Sequence, residues 1–289
     1  MKIVKFLGGL GNQMFQYGFY LALQKTFKKV KADLTGFENY TLHNGFELND
    51  IFNIKLNTAS EFDLNLYLPN NRKWKWRKLR RLYRTRRAYT EETMSFGYDR
   101  TIFSDKQNRY YWGYWQHIDY INRVSKELRE HFRFPQITDT RSEELIHRIQ
   151  QRESVSLHIR RGDYLIEANQ HLGSICDHNY YEKAIAYIKS KIDAPLFIVF
   201  SNDIPWCRET FKDIDAVFVD WNIGKQSYID MQLMSLCNHN IIANSSFSWW
   251  GAWLNNNPDK IVVSPDKWIN ETRANTDGRG LILDSFVTF

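Results

Sequence analysis

The sequence predicts an α/β fold built from two Rossmann-like lobes. Its 289 residues exceed what one hydrophobic core usually holds and are sufficient for two domains. From residue 154 onward, short apolar runs alternate with stretches of helix length, which indicates parallel strands connected by helices. A strand, a glycine-rich turn and a helix also open the chain. We therefore expect an N-terminal lobe over residues 1–150 and a C-terminal lobe over residues 151–289.

The second lobe has the more regular pattern. In the first lobe the pattern predicts strands at 2–7, 30–34 and 110–115, and helices at 12–29, 118–132 and 142–151. In the second lobe it predicts strands at 154–160, 196–200, 216–219, 240–243 and 260–263, and helices at 179–191, 205–211, 228–237 and 247–254. Residues 36–70 show no consistent period, so no element is assigned there.

The formal net charge of +6 comes from one basic segment. Residues 72–87 contain ten Lys or Arg residues and no acid; removing these ten from the 39 basic residues leaves 29 against 33 acidic residues, a net charge of −4. On a helix, Trp76, Leu79, Leu82 and Tyr83 share one face among the arginines. This pattern is typical of a helix that lies on an anionic membrane. A solvated basic loop explains it equally well, and no nucleic-acid-binding module accompanies the segment, so no nucleic-acid partner is expected.

The composition predicts a cytoplasmic protein. If the basic segment does bind a membrane, we expect the protein to be attached peripherally to the inner membrane face. No run of about 18 apolar residues is present. The N-terminal apolar stretch is interrupted by Gly8 and Gly9, too early for a signal peptide. The three cysteines suit a reducing compartment.

No metal site is expected from the sequence. The pairs in Cys176-Asp-His178 and Cys237-Asn-His239 are separated by one residue, which is not the usual zinc spacing. Asp213-Ile-Asp215 resembles the acidic metal-binding triplet of some sugar-nucleotide enzymes. It precedes a strand rather than following one, so we interpret it as a loop.

The most informative motif ends the strand predicted at 154–160. Side chains alternate along a strand, so His158 and Arg160 point the same way, and Arg161 and Asp163 follow at the bend. Open α/β sheets bind ligands at the carboxyl ends of their strands. Two guanidiniums, an imidazole and a carboxylate gathered there suit a doubly charged anion such as a nucleotide pyrophosphate. An ordinary surface ion-pair cluster is the alternative.

A glycine-rich turn, Gly8-Gly9-Leu10-Gly11-Asn12-Gln13, joins the first strand to the first helix. Backbone amides and the helix dipole favour phosphate at such a place. As a dinucleotide fingerprint the turn is incomplete, because Met14 stands where a third glycine or alanine is needed. Asp33 follows at a suitable distance for a ribose contact. An NAD(P)-dependent oxidoreductase is therefore the alternative function, and a purely structural turn is the alternative for the motif.

Polar residues follow two further strands. Ser201-Asn202-Asp203 comes after a buried strand, where Asp203 suits either the N–H edge of guanine or the cap of the next helix. Asn244-Ser-Ser-Phe-Ser-Trp-Trp-Gly251 opens a helix, and its hydroxyl and amide groups suit a phosphate cradle. The absence of a Walker A sequence and of a Gly-x-Ser-x-Gly elbow argues against an ATPase and an α/β-hydrolase.

Taken in order, these motifs resemble the bacterial α-1,2-fucosyltransferases of glycosyltransferase family 11. The motifs are Gly9-Leu-Gly11-Asn12-Gln13-Met14, His158-Ile-Arg160-Arg161-Gly162-Asp163-Tyr164, Phe200-Ser201-Asn202-Asp203, Cys237-Asn238-His239 and Ser245-Ser-Phe-Ser-Trp-Trp-Gly-Ala252. The resemblance covers most of the chain and is weakest over about 36–110. It implies a GT-B fold, with the acceptor on the N-terminal lobe, the donor on the C-terminal lobe and the nucleotide-sugar site in the cleft between them.

The resemblance also implies a reaction. L-fucose would pass from GDP-β-L-fucose, with inversion, to the 2-hydroxyl group of a galactose-containing glycan in O-antigen or surface-polysaccharide synthesis. No cofactor and no metal are expected. A non-catalytic nucleotide-sugar-binding protein is the competing class, and the arginine motif argues against it.

Residue roles follow from the same resemblance. Arg160 is expected on the donor β-phosphate, where it stabilises the leaving pyrophosphate. Arg161 and Asp163 complete the expected catalytic group, and Glu167 is the candidate general base, although it matches no motif position. The expected donor-binding residues are Asn12, Gln13, His158, Asp203, Ser245, Ser246, Phe247 and Ser248.

Overall fold

The chain forms two compact units, each with its own parallel β-sheet. A computed structural model describes residues 1–38, 44–162, 171–270 and 279–289. The units are Met1–Arg133 and Phe134–Phe289. The sheets have four and six strands, and every strand pair in both is parallel. The predicted α/β class with two Rossmann-like lobes is confirmed.

The first unit carries its four strands in the order β2-β1-β4-β3. They are β1 (Lys2–Lys5), β2 (Val30–Asp33), β3 (Tyr89–Glu91) and β4 (Arg109–Trp112). The helices are α1 (Leu10–Thr26), α2 (Leu48–Phe52), α3 (Glu61–Tyr67), α4 (Trp74–Leu82), α5 (Ile118–Asn122) and α6 (Ser125–His131). The single helix predicted over 118–132 is thus broken, because Val124 has φ −138° and ψ 21°, outside the helical region.

The second unit carries six strands in the order β10-β9-β8-β5-β6-β7. They are β5 (Ser154–Ile159), β6 (Leu196–Ser201), β7 (Ala216–Val219), β8 (His239–Ile241), β9 (Val262–Ser264) and β10 (Val287–Thr288). The helices are α7 (Thr140–Gln151), α8 (His178–Lys191), α9 (Ile204–Thr210), α10 (Tyr228–Leu236) and α11 (Ser246–Leu254).

The border between the units lies earlier than the predicted position near residue 150. Helix α7 belongs to the second unit because its buried residues Leu145 and Ile149 pack in one cluster with Leu196 and Ile198 of β6. The sequence places this helix just before a strand, but its packing partner lies more than forty residues further along the chain.

Separate cores cover the two faces of the second sheet. Phe197 and Val199 of β6 pack with α8 and α9, whereas Leu196, Ile198 and Phe200 pack with α7 and α10. Strand β6 is apolar at almost every position because both of its faces are buried, as is usual in parallel sheets. This sheet therefore holds the ends of its strands at fixed positions.

The strand order of the second sheet reverses beside β5. The chain runs from β5 outward to β6 and β7, and then returns to β8 on the opposite side of β5. In open α/β sheets, ligands bind at such a reversal, outside the carboxyl ends of the strands. Topology alone thus points to the loops that follow β5 and β8.

Within the basic segment 72–87, residues Trp74–Leu82 form helix α4, and part of its apolar face packs inward. Trp76 and Leu79 pack in a cluster with Leu66 and Tyr67 of α3. Only Leu82 and Tyr83 of the four apolar residues expected at a membrane are exposed. The membrane-facing surface predicted from the sequence was therefore partly wrong, because the first unit uses two of those residues in its own core.

Within the described ranges, no helix combines the length and the apolar character required to cross a membrane.

Candidate active site

Three loops of the second unit meet at one edge of the sheet. Strands β8, β5 and β6 are parallel neighbours, so the segments that follow them begin along the same edge. These segments contain the arginine motif after β5, the Asn202-Asp203 pair after β6 and the serine-rich start of α11 after β8. Most of the residues predicted for the donor site are thereby brought together.

The arginine turn, residues 160–162 after β5, is held by a side chain from the loop that follows β6. Asn202 Oδ1 accepts hydrogen bonds from the backbone N–H groups of Arg161, at 3.0 Å, and Gly162, at 3.3 Å. Gly162 is needed there, since a Cβ atom would lie 2.5 Å from Asn202 Nδ2. The turn that carries Arg160 therefore depends on contact between two loops.

Arg161 is fixed by two contacts. Its guanidinium carbon lies 3.8 Å from the centre of the Trp206 ring, a stacked cation–π arrangement, and its Nε lies 3.4 Å from Asp203 Oδ2. Asp203 also caps α9, since its side chain accepts from the backbone N–H of Trp206. Of the two predicted alternatives for Asp203, the helix cap is thus present in the structure.

His158 is a buried, neutral member of the site. Its Nδ1 lies 2.8 Å from Ser248 Oγ, and its ring packs beside Phe247. Burial and the neighbouring Arg160 lower the pKa of His158 to about 3. The imidazole therefore stays uncharged at neutral pH, and it connects the end of β5 to the first turn of α11.

Helix α11 presents its N-terminus at this edge. Ser245 caps the helix, with its side chain accepting from the Phe247 backbone N–H at 3.4 Å. Trp249 and Trp250 are fully buried, so this end of the helix is anchored in the core. Backbone N–H groups and the helix dipole make a helix N-terminus favourable for an anion.

Two predicted catalytic residues lie outside the described residues. Asp163 and Glu167 fall within 163–170, so their predicted roles stay predictions.

The two residues of the first unit that were predicted to contact the donor, Asn12 and Gln13, have different surroundings. Asn12 lies in the first turn of α1, where its Oδ1 accepts from Gln116 Nε2 at 2.7 Å. Gln13 is fully buried; its Nε2 donates to the Gly8 and Gly45 carbonyls and its Oε1 accepts from the Glu47 N–H. Gln13 therefore supports the turn from inside and has no polar group left for a ligand.

The structure argues against the oxidoreductase alternative, because Asp33, the acid expected to contact a ribose, already has partners within the first unit. Asp33 is 1% exposed and its carboxylate accepts from the hydroxyl groups of Tyr110 and Thr35, at 2.6 and 2.7 Å. Lys5 lies 3.3 Å away, and these partners outweigh burial to lower the pKa of Asp33. The carboxylate is already satisfied within the first unit.

No cluster of three or more metal-binding side chains occurs among the residues that the structure describes. Asp215 instead forms an ion pair with Arg152 at 2.6 Å. It lies directly before β7, at the opposite edge of the sheet from the arginine turn.

Two acidic residues whose pKa values rise to about 7 were missed in the sequence. Burial raises the pKa of Asp230, in the first turn of α10, to about 7, and Asn222 Nδ2 donates to its Oδ1 at 2.8 Å. Helices α10 and α11 pack together and both begin at the carboxyl edge of the sheet, so Asp230 belongs to the same region. In the first unit, burial raises the pKa of Glu92 to about 7, although its carboxylate accepts from the N–H groups of Tyr114 and Trp115. Neither residue lies in a motif, and only tertiary packing reveals them.

Comparison with known proteins gives matches over almost the whole chain. The sequence profile described as "Glycosyl transferase family 11" matches residues 1–280. The "Alpha-1,2-colitosyltransferase" of Escherichia coli is 35% identical over 287 residues, covering 95% of this chain and 94% of that protein. The "O-antigen biosynthesis glycosyltransferase WbnK" of Escherichia coli is 33% identical, covering 97% of each chain. The rat "Galactoside alpha-(1,2)-fucosyltransferase 2" is 36% identical over 103 residues, which is 35% of this chain and 29% of that protein.

Solved structures give more distant matches. A mutant of Arabidopsis thaliana FUT1 in complex with GDP has a TM-score of 0.47 at 12% identity, covering 96% of this chain and 72% of that one. POFUT1 in complex with GDP-fucose has a TM-score of 0.43 at 12% identity, covering 90% of this chain and 95% of that one.

Removing the side chain that holds the arginine turn should loosen that turn without unfolding the protein. In Asn202→Ala, the N–H groups of Arg161 and Gly162 lose their acceptor, so we expect a loss of about 1 kcal/mol in the free energy of unfolding. The melting temperature should fall by about 2–4 °C, and these two amides should exchange hydrogen faster than in the unchanged protein. Asn202→Asp keeps the acceptor oxygen and is the matched control. Unchanged amide exchange in Asn202→Ala would show that the turn does not depend on Asn202.

Proposed function

Because the chain belongs to glycosyl transferase family 11, we propose that it transfers L-fucose from GDP-β-L-fucose to the 2-hydroxyl group of a galactoside. The protein is a glycosyltransferase, and the resemblance drawn from its motifs is confirmed by the family match. The observation that carries the proposal is the convergence of the arginine turn and the N-terminus of α11 at the point where strand order reverses. We place the donor pyrophosphate there.

The α-1,2 linkage and the O-antigen context are supported by the relatives. Two Escherichia coli proteins that match almost the whole chain are named for an α-1,2 transfer and for O-antigen biosynthesis, and the rat relative for α-1,2 transfer to a galactoside. We therefore propose a galactose-containing glycan of a surface polysaccharide as the acceptor.

The proposed reaction is a single displacement with inversion. The acceptor oxygen forms a bond to C1 of fucose while the bond from C1 to the β-phosphate oxygen breaks and its electron pair leaves with GDP. Arg160 and the N–H groups that begin α11 stabilise the negative charge that develops on the pyrophosphate. The proton of the acceptor hydroxyl leaves to a carboxylate, for which Glu167 is our candidate. No metal is needed in this scheme, since the guanidinium supplies the positive charge.

We assign guanine recognition to Asp230 in preference to Asp203. The Asp203 carboxylate already caps α9 and approaches Arg161. Asp230 instead accepts a hydrogen bond from Asn222 and lies in the first turn of α10, the helix that packs against α11. A carboxyl group can accept hydrogen bonds from the N–H edge of guanine.

Transfer of colitose is the second candidate function. It is favoured by the near full-length match to a colitosyltransferase. Colitose lacks the 3-hydroxyl group of fucose, so a site that hydrogen-bonds this hydroxyl should discriminate strongly against GDP-colitose.

The donor assignment predicts product formation from GDP-fucose in the presence of a chelator. The purified protein, a β-galactoside and excess EDTA should yield an α-1,2-fucosylated product with GDP-fucose, and none with UDP-galactose or NAD⁺, measured by mass spectrometry of the product and by nucleotide release. Faster turnover with GDP-colitose would establish the second candidate. A strict requirement for a divalent cation would contradict the metal-free scheme.

Arg160 should be essential for turnover and dispensable for folding. Arg160→Lys keeps the positive charge but cannot reproduce a planar two-pronged contact with phosphate, so kcat should fall by roughly 100- to 1,000-fold while the melting temperature stays close to that of the unchanged protein. The matched control is Lys212→Arg, an exposed exchange elsewhere in the second unit. If Arg160→Lys keeps most of the kcat, Arg160 does not bind the phosphate in this way.

We also propose that the basic segment 72–87 contacts an anionic membrane surface, which would place the enzyme peripherally at the inner membrane face. Trp74, Lys78 and Leu82 follow one another at intervals of four residues, so they share the outward face of α4. Trp74 is 76% exposed and Leu82 is 75% exposed. Exposed apolar side chains among lysines and arginines are typical of a helix at a lipid interface.

Vesicle binding tests this contact. The protein should bind phosphatidylglycerol-containing vesicles at low ionic strength and release them at high salt, because the attraction acts over about a Debye length. In Trp74→Ser/Leu82→Ser the partition coefficient should fall by about tenfold or more, since two apolar side chains no longer enter the interface. Ile223→Ser, which removes another 75% exposed apolar side chain in the second unit, is the matched control. Equal binding to neutral and anionic vesicles would contradict the proposal.

A further inference from the structure

A cavity beside α4 has an unusual concentration of positive charge. Its volume is about 140 Å³, roughly ten times the approximately 15 Å³ that one water molecule needs, so a group of phosphate size fits. Its lining includes Arg77, Arg80, Arg81 and Arg86 together with Thr85 and Tyr89. All of these residues belong to the first unit, whereas the arginine turn after β5 belongs to the second.

The buried arginine of this cavity is only partly satisfied. Arg80 is 7% exposed, and its Nη2 donates to the backbone carbonyls of Asn65 and Asn71 at 3.0 and 2.8 Å. Its Nε is buried without a hydrogen-bond acceptor in the described part of the chain. Burial also lowers the pKa of Arg80, because it disfavours the charged form.

In the part of the chain that the structure describes, no carboxylate neutralises this group of arginines. Among the described residues, no carboxylate oxygen lies within 4.0 Å of a guanidinium nitrogen of Arg77, Arg80, Arg81 or Arg86. Arg77 and Arg81 are also one helical turn apart on α4, and like charges at that spacing repel each other. Four cations around one cavity therefore create a strongly positive potential that an anion would relieve.

We propose that this cavity, the α4 pocket, is a binding site for a phosphate-bearing anion, of the kind that the headgroup of a membrane lipid presents. Guanidinium groups bind phosphate oxygens through paired, charge-assisted hydrogen bonds, and several of them together suit a phosphate monoester or a diphosphate. The exposed side chains of Trp74 and Leu82 on the same helix place this chemistry beside the surface that we assign to the membrane. The lipid source rests on that proposed membrane contact, whereas anion binding itself does not.

Charge-matched variants separate a defined pocket from diffuse attraction. The pocket variant is Arg77→Gln/Arg81→Gln/Arg86→Gln, which removes three exposed lining arginines and leaves the buried Arg80 in place. The control variant is Lys75→Gln/Lys78→Gln/Arg84→Gln, which removes the same charge from exposed positions of the same segment outside the lining. Circular dichroism and melting temperature should show that both remain folded.

The first measurement is calorimetric titration with inorganic phosphate and inorganic pyrophosphate, with excess GDP present to occupy the donor site. The unchanged protein and the control variant should bind pyrophosphate saturably, with phosphate weaker, and the pocket variant should lose about tenfold or more in affinity. Equal loss in both variants, or no saturable binding by the unchanged protein, would overturn the proposed pocket.

The second measurement identifies the source of the anion. Phosphatidylcholine vesicles carrying phosphatidic acid, which exposes a phosphate monoester, are compared with vesicles carrying phosphatidylglycerol at equal surface charge. The pocket variant should lose the preference for phosphatidic acid, and the control variant should keep it while binding all anionic vesicles more weakly. If the unchanged protein binds pyrophosphate but shows no preference for phosphatidic acid, the anion site stands. The proposal that a membrane lipid supplies the anion would then be overturned. Failure of GDP-fucose turnover would affect neither result.

Discussion

The reversal of strand order at β5 is the constraint on which the candidate donor site depends. Because β6 and β8 lie on opposite sides of β5, the loops after all three strands diverge from one edge of the sheet. Two short bridges join them: Asn202 holds the backbone of the arginine turn, and His158 joins Ser248 of α11 at 2.8 Å. The deep burial of His158 keeps it neutral, so the positive charge at this edge comes from the arginines and from helix N-termini. Such prearranged charge is what a departing diphosphate requires.

The basic segment shows how one helix serves two purposes. Trp76 and Leu79 complete the core around Tyr67, and the buried guanidinium of Arg80 donates to the backbone carbonyls of Asn65 and Asn71. The opposite side of the helix keeps its lysines and arginines in water beside Trp74 and Leu82. The positive charge that dominates the composition is therefore attached to a folded part of the first unit. This gives the arginines defined positions around a cavity, which a mobile basic loop would not provide.

Much of the second unit could be predicted from the sequence because buried parallel strands are continuous apolar runs. Leu196–Ser201 is an example, and its predicted bounds differ from the structure by one residue. The polar residues after such strands also lie together, since parallel strands share an edge. The rest depended on tertiary contacts. The attachment of α7 to β6 and the inward position of Gln13 are decided by partners far away in sequence. The break at Val124 has no glycine or proline to mark it in the sequence. Asp230 carried no motif, and only its burial beside Asn222 singled it out.

The central claim is that the edge formed by β5, β6 and β8 holds the pyrophosphate and nucleobase of the donor. Hydrogen exchange of the intact protein with and without GDP tests it most directly, since bound ligand protects the amides that it contacts or immobilises. We expect slower exchange in the peptides that cover 158–162, 202–206, 222–230 and 245–248. Protection confined to the glycine-rich turn at 8–13, or to the arginines of the α4 pocket, with exchange at these four segments unchanged, would contradict the claim.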